Sequence, residues 1–559
     1  SRCDSTASVQ SPSAPSSDSA LRLAVDIRRF PWMRPLALDY AFDHAKVAAF
    51  FAGDPQQSES WAAQVAAQRA HARPRAELAA VIAAQQARRN APDAARAAAQ
   101  RLADPASVAI VTGQQAGLFG GPLYTLLKAI TALRLAARVS RDQGVPVVPV
   151  FWIDAEDHDW AEIAGCDVLA GDDALRHVTA APPDGAGEKP VGWLRYTDDI
   201  SRAVTELREA LPPTEFTPGL VDALASDYCA GQGVADAFGR WLERTLGPQG
   251  LVVYDSSDPA AKPLAAPLFC AEVEHAGRTS RLAAETGSAL VGLGYHSQVV
   301  PAEGSLALFD LGGGRRGIRV ADDHFQIGDD TVTRAALLER ATSHPETLSP
   351  NVLLRPLVQD TLFPTICYVA GPNELAYLGQ LRGVYESFGL PMPLVAPRAT
   401  ATILDAAGVR FLNRYKVPLE SLVAQDERAL NELLAAQLPP SVERAVQDAE
   451  AEIGARMDAI VRAVPAIDPT LEGAAKSTLG KIEHDMKNLR GKILQAAKRR
   501  DETLRRQFVH VRAQAFPGGT PQERTVGFVA FVNRYGPALV ERLTAELPID
   551  GGMHWIVTV

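Results

Sequence analysis

The stretch VAIVTGQQAGLFGGPLYTLLKAITALRLAAR, residues 108–138, combines an apolar strand, a glycine-rich loop and a long helix. Its first four residues form the short apolar run that is typical of a parallel strand covered on both faces. Pro122 stands where the helix should begin, and the leucines and isoleucines after it keep helical spacing. A strand that leads through such a loop into a helix predicts an α/β fold, with the loop at the carboxyl edge of a parallel sheet.

The loop itself is a candidate binding site. Its backbone N–H groups and the positive end of the helix dipole would suit an anion. It matches neither the G-x-G-x-x-G fingerprint nor a P-loop, because no Gly-Lys-Ser/Thr follows. A tight turn that needs glycine only for packing is the alternative, but two adjacent carboxamides favour a polar ligand. The residues predicted to bind substrate here are Gly113, Gln114, Gln115, Gly120 and Gly121.

Composition excludes several classes of protein. A chain of 559 residues is long enough for two to four domains. Its net charge of −10 argues against a protein that coats nucleic acid or an anionic membrane, and no apolar stretch reaches the roughly 18 residues that span a bilayer. Five scattered cysteines without a C-x-x-C motif indicate a reducing compartment. We therefore expect a cytoplasmic protein with no nucleic-acid or membrane partner.

The order of apolar runs and helical patterns divides the chain into segments. The Ser- and Pro-rich start predicts a disordered tail, two prolines predict an extended arm at 30–40, and 265–289 reads as one helix. Helical spacing on both sides of PAIDPT predicts two antiparallel helices. The segments are a disordered tail at 1–20, N-terminal helices and the first half of the core at 21–163, a helical insertion at 164–249, core at 250–296, a small β-rich insertion at 297–347, the second half of the core at 348–418, an antiparallel coiled coil at 419–515 and a C-terminal segment at 516–559 that packs back on the body.

Acidic residues gather where the next apolar run, 145–153, ends. Consecutive parallel strands deliver their following loops to the same edge of a sheet, so these residues are expected near the glycine loop. A histidine beside acids acts as a general base, a metal ligand or a salt-bridged structural residue. Because no recognised ligand spacing is present, we rank metal binding below substrate binding or general-base work. The catalytic candidates are Glu156, Asp157 and His158.

Further candidates lie between 294 and 398. Asn351, Arg355 and Gln359 recur at four-residue steps, which would place them on one helical face, although Pro356 could break that helix. An Arg fork suits a carboxylate or phosphate, and a structural salt bridge is the alternative. His296 in the GYHSQ stretch is equally compatible with a core histidine. The remaining predicted substrate-binding residues are Gln298, Gly371, Asn373, Glu374, Tyr377 and Arg398.

Five separate blocks of this sequence, in this order, resemble those of the bacillithiol biosynthesis cysteine-adding enzymes, a family of cysteine ligases. The blocks are TGQQAGLFGGPLYTLLKA, PVFWIDAEDHDW, GYHSQV, SPNVLLRPLVQDTLFPTICYVAGPNELAYLGQL, and AAKRRDETLRRQ with FPGGTPQER. The similarity runs from about Pro31 to the C-terminus. Three of the family's motifs are intact, at 113–122, 156–159 and 351–356.

The resemblance implies a Rossmann-like parallel-sheet core similar to that of class I aminoacyl-tRNA synthetases, two inserted connective subdomains, a C-terminal antiparallel coiled coil and a homodimer. It implies a ligase that joins the carboxyl group of L-cysteine to the amino group of glucosaminyl malate, the last step of bacillithiol biosynthesis. Amide formation from a free carboxylate needs an activated acyl group, so ATP or another nucleotide is expected. No HIGH motif is present, and the resemblance leaves a metal requirement open.

The resulting hypothesis assigns roles to the candidates. The glycine loop holds an anionic group, Arg355 and Arg398 hold the carboxylates of malate, and residues 156–158 bind amines or take the proton of the attacking amine. Replacing His158 with Ala would then lower the rate by orders of magnitude. Two alternatives stay open: a nucleotidyl or phosphoryl transferase with a sugar acceptor, and a noncatalytic dimeric coiled-coil scaffold.

Overall fold

The computed structural model of the protein describes residues 22–437, 439–500 and 502–559, so the tail predicted at 1–20 lies outside the described residues. The chain divides into two units. The first contains the described residues up to Thr402 together with Gln522–Val557. The second contains Ile403–Pro521 and the last two residues.

The elements up to the end of the first unit's main segment alternate between helix and strand. In chain order they are β1 (Arg22–Asp26), α1 (Pro35–Phe42), α2 (Ser58–Ala70), α3 (Arg75–Arg89), α4 (Asp93–Gln100), β2 (Val108–Gln114), α5 (Leu123–Gln143), β3 (Val147–Ile153), α6 (Trp160–Ile163), β4 (Gly165–Leu169), β5 (Leu175–Thr179), α7 (Ile200–Ala210), α8 (Thr217–Asp227), α9 (Val234–Leu246), β6 (Val252–Asp255), α10 (Lys262–Glu274), α11 (Arg278–Gly292), β7 (Ser305–Asp310), β8 (Arg316–Ala321), β9 (His324–Ile327), β10 (Asp330–Thr333), α12 (Arg334–Ser343), β11 (Leu348–Pro350), α13 (Arg355–Leu362), β12 (Thr365–Ala370), α14 (Pro372–Leu378), α15 (Arg382–Ser387), β13 (Leu394–Pro397) and β14 (Thr400–Leu404).

A five-stranded parallel sheet forms the centre of the first unit, in the order β13-β12-β2-β3-β6. Strands β2 and β3 pair in register from Val108 opposite Val147 to Gln114 opposite Ile153. Every residue of β3 is buried, as the continuous apolar run predicts for a strand covered on both faces. The predicted α/β fold with a parallel sheet is confirmed.

Helix α5 covers this sheet as the sequence predicts. Pro122 precedes its first residue, where a missing N–H costs nothing, and Gly144 ends it in the left-handed conformation, with φ 63°. Its leucines and isoleucines are buried, and each contributes about 1.5–3 kcal/mol through removal of apolar surface from water.

An antiparallel sheet, in the order β10-β9-β8-β7-β11, fills the β-rich part of the chain. Helix α12 follows β10, and β11 returns the chain to the parallel core. The earlier part, between β3 and β6, consists of the β4–β5 hairpin and helices α7 to α9. Neither region interrupts the parallel strands themselves.

Three local predictions are wrong. The segment at 30–40 is not an extended arm, because Pro35 occupies the first turn of α1, where proline is tolerated. The stretch 265–289 is two helices, broken where Gly277 adopts φ 82°. Asn351 is not on the helix of Arg355: its Oδ1 accepts the N–H groups of Leu353 and Leu354, at 2.9 and 3.2 Å, and α13 begins at Arg355.

The C-terminal part of the first unit returns to the core. It contains α21 (Gln522–Thr525), α22 (Phe528–Tyr535), α23 (Ala538–Glu546) and β15 (Met553–Thr558). Strand β15 pairs antiparallel with β1, from Met553 opposite Asp26 to Val557 opposite Arg22. The two ends of the described chain therefore lie side by side.

The second unit is helical. Its helices are α16 (Ala406–Tyr415), α17 (Arg428–Ala436), α18 (Pro440–Ala463), α19 (Leu471–Arg500) and α20 (Glu502–Ala515). Helices α18 and α19 pack against each other, and Glu443 near the start of α18 binds Arg490 far along α19, with 2.7 Å between Oε1 and Nη2. That pairing requires antiparallel helices, so the predicted antiparallel coiled coil is confirmed.

Candidate functional site

A cavity of about 720 Å³ opens at the carboxyl ends of the parallel strands. The strand order reverses between β2 and β12, and such a switch point is where open α/β sheets bind ligands. The cavity is bordered by the residues that follow four strands: Gln115 after β2, Asp154 after β3, Gly371 after β12 and Arg398 after β13. The topology alone therefore gathers residues from distant parts of the sequence.

The glycine loop does not present a free anion cradle. The N–H groups of Gly117, Gly120 and Gly121 donate to carbonyls within the loop, and that of Leu123 donates to Val526. Gly120, with φ 95°, has no room for a Cβ because the ring of Phe528 lies against it. Gly120 therefore serves tight packing, and these four N–H groups are not free for the anion that the sequence predicts here.

A buried lysine supports the loop from behind. The ammonium of Lys128 on α5 donates to the carbonyl of Gly113 at 2.8 Å and to Gln114 Oε1 at 3.0 Å, and it lies 2.5 Å from Glu374 Oε2. Burial raises the pKa of Glu374, but the charge and hydrogen bond of Lys128 outweigh that effect and hold the pKa below its usual value. The carboxylate therefore stays ionised on the cavity wall.

Arg355 and Asp154 face each other in the cavity. Arg355 is buried, with its Nε 3.8 Å from Asp154 Oδ2, and its Nη2 donates to the Tyr377 hydroxyl at 3.2 Å. Its guanidinium also lies over the rings of Trp152 and Tyr368. Burial raises the pKa of Asp154, and Arg355 only partly offsets that effect. Asp154 is thus a carboxylate that accepts a proton more readily than an ordinary one.

The neighbouring acids are already paired. Glu156 forms a buried ion pair with Lys262. Burial lowers the pKa of Lys262 to about 7. Asp157 lies 3.3 Å from Arg315, which the loop between β7 and β8 brings to the cavity from the antiparallel sheet. Burial opposes ionisation of Asp157, but Arg315 and hydrogen bonds from His158 leave its pKa lowered. Asp157 is therefore held as an anion, and Glu156 is occupied by Lys262.

Two arginines near the C-terminal segment differ in their availability. Arg398 makes two hydrogen bonds to buried Glu523, at 2.6 and 3.0 Å, and a third to the carbonyl of Ala399. Arg524, the next residue after Glu523, lines the same cavity and makes no hydrogen bond or ion pair with any described residue. Arg398 is thus largely committed within the protein, whereas Arg524 is available to a ligand.

Most of the predicted site residues meet in this cavity. Those that line it are Gly113, Gln114, Gln115, Glu156, Asp157, Asn351, Arg355, Gly371, Asn373, Glu374, Tyr377 and Arg398. Gly120, Gly121 and His158 lie nearby but do not line it, and the His158 ring is bonded to Asp157 at 3.1 Å. His296 and Gln298 do not line the cavity either. Their side chains form a hydrogen bond with each other, with 3.0 Å between Nε2 and Oε1.

Sequence reasoning missed several residues of the cavity. They are Tyr124, Lys128, Arg315, Tyr368 and Arg524. Lys128 carried a detectable signal, because it is a lone cation within the apolar face of a predicted helix. Arg524 stands in the quoted FPGGTPQER block, but nothing local indicates that this block reaches the core. Arg315 lies in a Gly- and Arg-rich turn with no periodicity to interpret.

The described ranges 22–437, 439–500 and 502–559 contain neither a metal-binding cluster nor a membrane-spanning helix. There, no group of three or more His, Cys, Asp or Glu side chains is placed to hold a metal ion. No helix in that part of the chain is long and apolar enough to cross a membrane.

Two family models divide the chain near residue 400, close to where the chain leaves the first unit. Residues 24–399 match the family described as "Bacillithiol biosynthesis BshC, N-terminal Rossmann-like domain". Residues 401–559 match "Bacillithiol biosynthesis BshC, C-terminal coiled-coil domain". The predicted Rossmann-like core is therefore confirmed.

Similar proteins cover nearly the whole chain. A protein of Salinibacter ruber is 36% identical, over 94% of this chain and 96% of its own length. One of Geobacillus kaustophilus is 32% identical, over 94% and 98%, and one of Chlorobaculum tepidum is 34% identical, over 80% and 82%. Each carries the name "Putative cysteine ligase BshC". The chain belongs to the BshC family of bacillithiol biosynthesis, whose members are named as cysteine ligases.

Proposed function

We propose that this protein ligates the carboxyl group of L-cysteine to the amino group of glucosaminyl malate. The cavity at the switch point of the sheet supports this function most directly. Five carboxylates and five cations line it, so its charges balance. A balanced, polar cavity suits a zwitterionic amino acid and an acceptor that carries both amine and carboxylate groups, whereas an excess of cations would suit a polyphosphate.

Arg355 is the proposed partner of a malate carboxylate. It is buried, and its guanidinium lies 5.9 Å from the ring centroid of Trp152 and 5.7 Å from that of Tyr368, which restricts its movement. A fixed planar fork recognises a carboxylate through two parallel hydrogen bonds. Arg398 contributes positive charge at the same edge, but its bonds to Glu523 leave it few free donors.

Asp154 is the proposed acceptor of the proton that the attacking amine loses. It lines the cavity, and its pKa is raised by burial. The charged nitrogen that faces it within the described residues, Arg355 Nε, is 3.8 Å away, beyond hydrogen-bonding distance. Glu156 and Asp157 are ion-paired and serve as fixed negative charges that attract the amine. His158 is the remaining candidate, and it does not line the cavity.

We propose ATP as the source of acyl activation. Hydroxide is a poor leaving group, so amide formation from a free carboxylate requires that the acyl group be activated first. The cavity residues do not fit a triphosphate: the N–H groups of Gly117, Gly120 and Gly121 are occupied, and the lining cations are matched in number by carboxylates. We therefore assign this region to the two substrates of the ligation and not to the nucleotide.

We also propose a homodimer that acts in the cytoplasm. Helix α18 buries none of its residues, and Ile460, Ile467 and Leu489 of the helical hairpin are exposed. A second copy of the hairpin would cover such an apolar surface. Among the described cysteines none forms a disulfide, as expected where thiols stay reduced. Sedimentation at several protein concentrations tests the dimer.

The decisive experiment incubates the protein with glucosaminyl malate, L-cysteine and ATP and detects the thiol product by mass spectrometry. Reactions that lack one component each serve as controls. Product that requires both L-cysteine and ATP is the expected result. ATP consumption that does not depend on L-cysteine would instead support a nucleotidyl or phosphoryl transferase. If no turnover occurs under any condition, the noncatalytic coiled-coil scaffold is the remaining alternative.

A further inference from the structure

A second, smaller cavity lies on the other side of the glycine loop. Its volume is about 220 Å³, and it adjoins the larger cavity. The side chains shared by both are Gln114, Gln115, Tyr124, Glu162 and Arg524. Gln115 Nε2 donates to Glu162 Oε2 at 2.5 Å, and Gln114 Nε2 donates to the Tyr124 hydroxyl at 3.3 Å. These two hydrogen bonds form a polar partition between the cavities.

The smaller cavity contains an unsatisfied polar group. The Thr125 side chain is fully buried, and its Oγ1 has no hydrogen-bond partner among the described residues. A buried hydroxyl without a partner costs free energy, so a ligand group that reaches Oγ1 from the cavity would gain a hydrogen bond that the protein leaves unmade. Gly121 leaves this hydroxyl open, because a Cβ there would lie 3.2 Å from it.

The charges around the cavity are those that a zwitterion requires. Glu162 stands on one side, and Asp167 is paired with His177 at 2.8 Å at its outer edge. Arg524, whose side chain makes no ion pair with another described residue, stands at the junction with the larger cavity. Carboxylates can therefore receive an ammonium group while a guanidinium receives a carboxylate.

The size of the cavity restricts its occupant. The smaller cavity has less than a third of the volume of the 720 Å³ cavity. Of the two proposed substrates, L-cysteine is the smaller and therefore matches it better.

We propose that the smaller cavity is the subsite for L-cysteine and that the larger one holds the amine acceptor. The inference rests on the proposed ligation and adds the location of each substrate. Arg524 binds the cysteine carboxylate at the junction, so the carbon that must react faces the acceptor. Thr125 hydrogen-bonds the thiol in the buried end, and Glu162 binds the ammonium group.

A pair of matched substitutions tests which cavity holds which substrate. Ala161→Phe narrows the smaller cavity and Val352→Phe the larger one, and both positions are exposed, so both variants should fold. We expect Ala161→Phe to raise the KM for L-cysteine by about tenfold and leave that for glucosaminyl malate unchanged. Val352→Phe should do the reverse. Equal effects on both substrates, or none, would overturn the assignment.

A titration of the protein with L-cysteine alone tests the role of Thr125 without turnover. Thr125→Val keeps the shape of the side chain and removes the hydroxyl, whereas Thr125→Ser keeps the hydroxyl. Loss of one hydrogen bond should weaken L-cysteine binding about fivefold in Thr125→Val and leave it nearly unchanged in Thr125→Ser. L-Alanine should bind both variants as it binds the original protein. Failure of L-cysteine to bind the original protein would overturn the subsite.

The two experiments separate the subsite from the reaction. If no amide product forms, yet Ala161→Phe abolishes L-cysteine binding, the proposed function fails and the subsite stands. If ligation proceeds and neither Ala161→Phe nor Thr125→Val changes the response to L-cysteine, the function stands and the subsite is wrong.

Discussion

Lys128 illustrates how single residues hold this site together. Its ammonium is buried on α5 and is satisfied by Gly113, Gln114 and Glu374. Burial lowers the pKa of Lys128, and the charge of Glu374 only partly offsets that effect. A buried ion pair of this kind adds little net stability, but the loss of one partner leaves an uncompensated charge in a medium of low dielectric constant.

We expect Lys128→Met to lower the free energy of unfolding by about 3 kcal/mol, because Glu374 would lose its counter-ion. The double variant Lys128→Met/Glu374→Gln should recover part of that loss, since both charges are then removed. Urea denaturation of the original protein, the single variants Lys128→Met and Glu374→Gln, and the double variant measures the coupling. An unchanged midpoint in Lys128→Met would show that water compensates Glu374 instead.

The proton acceptor can be identified by comparing two substitutions. Asp154→Asn should lower kcat by about a hundredfold, whereas His158→Ala should change it by about threefold or less. The base must be ionised to act, and burial raises the pKa of Asp154, so the rate should fall on acidification at a higher pH than an ordinary carboxyl would cause. Steady-state kinetics across pH checks both points. A larger loss in His158→Ala would assign the role to the imidazole.

At the scale of elements, Glu272 joins the parallel core to the antiparallel sheet. It lies near the end of α10, accepts the Thr279 hydroxyl of α11 at 2.5 Å and accepts the N–H of Ala307 in β7 at 2.8 Å. Burial raises its pKa to about 7, despite these hydrogen bonds. The folded protein therefore holds this proton at a pH where the unfolded chain releases it.

This carboxyl makes stability depend on pH. Below pH 4.5 both states carry the proton, and between about 4.5 and 7 only the folded state does, so stability falls as pH rises and levels off above pH 7. Glu272→Gln removes the effect, so relative to the original protein it should gain about 3 kcal/mol between pH 4.5 and 7.5. Denaturation at a series of pH values measures the difference. A difference in free energy of unfolding that does not change with pH would contradict the prediction. Glu285→Gln, at an exposed position, provides the control.

At the scale of the whole molecule, the chain leaves the first unit at residue 402 and returns to it at residue 522. The returning segment supplies strand β15 to pair with β1, Glu523 to pair with buried Arg398, and Arg524 to the cavities. The core is thus completed by residues that follow the coiled coil.

A chain that ends at residue 521 should therefore fail to form a stable core, because Arg398 would be buried without its counter-ion and β1 would lose its neighbour. A hairpin shortened by joining residue 446 to residue 487 with a short Gly/Ser linker should keep the first unit folded. Thermal unfolding, monitored by tryptophan fluorescence, distinguishes the chain that ends at residue 521 from the chain with the shortened hairpin. A cooperative transition in the chain that ends at residue 521 would show that the final segment is dispensable.

Local sequence determined much of this protein. Hydrophobic periodicity, Pro122 and the glycines defined the first strand, loop and helix, because these depend on backbone preferences and on burial of contiguous residues. Repeated helical spacing defined the coiled coil for the same reason. The order of parallel strands placed residues 113–115, 154–157 and 371–374 at one edge, since successive strands end on the same side of a sheet.

Only the tertiary structure decided which of those side chains remain available to a ligand. Sequence cannot show that Glu523 pairs with Arg398 or that three glycine N–H groups of the loop are already bonded. Nor can it show that Arg524 lines the cavity with no ion pair to another described residue. Hydrogen bonds and ion pairs form between groups that are hundreds of residues apart, and no local pattern encodes them. The sequence thus located the site, and long-range pairing decided its free charges and divided it into two cavities.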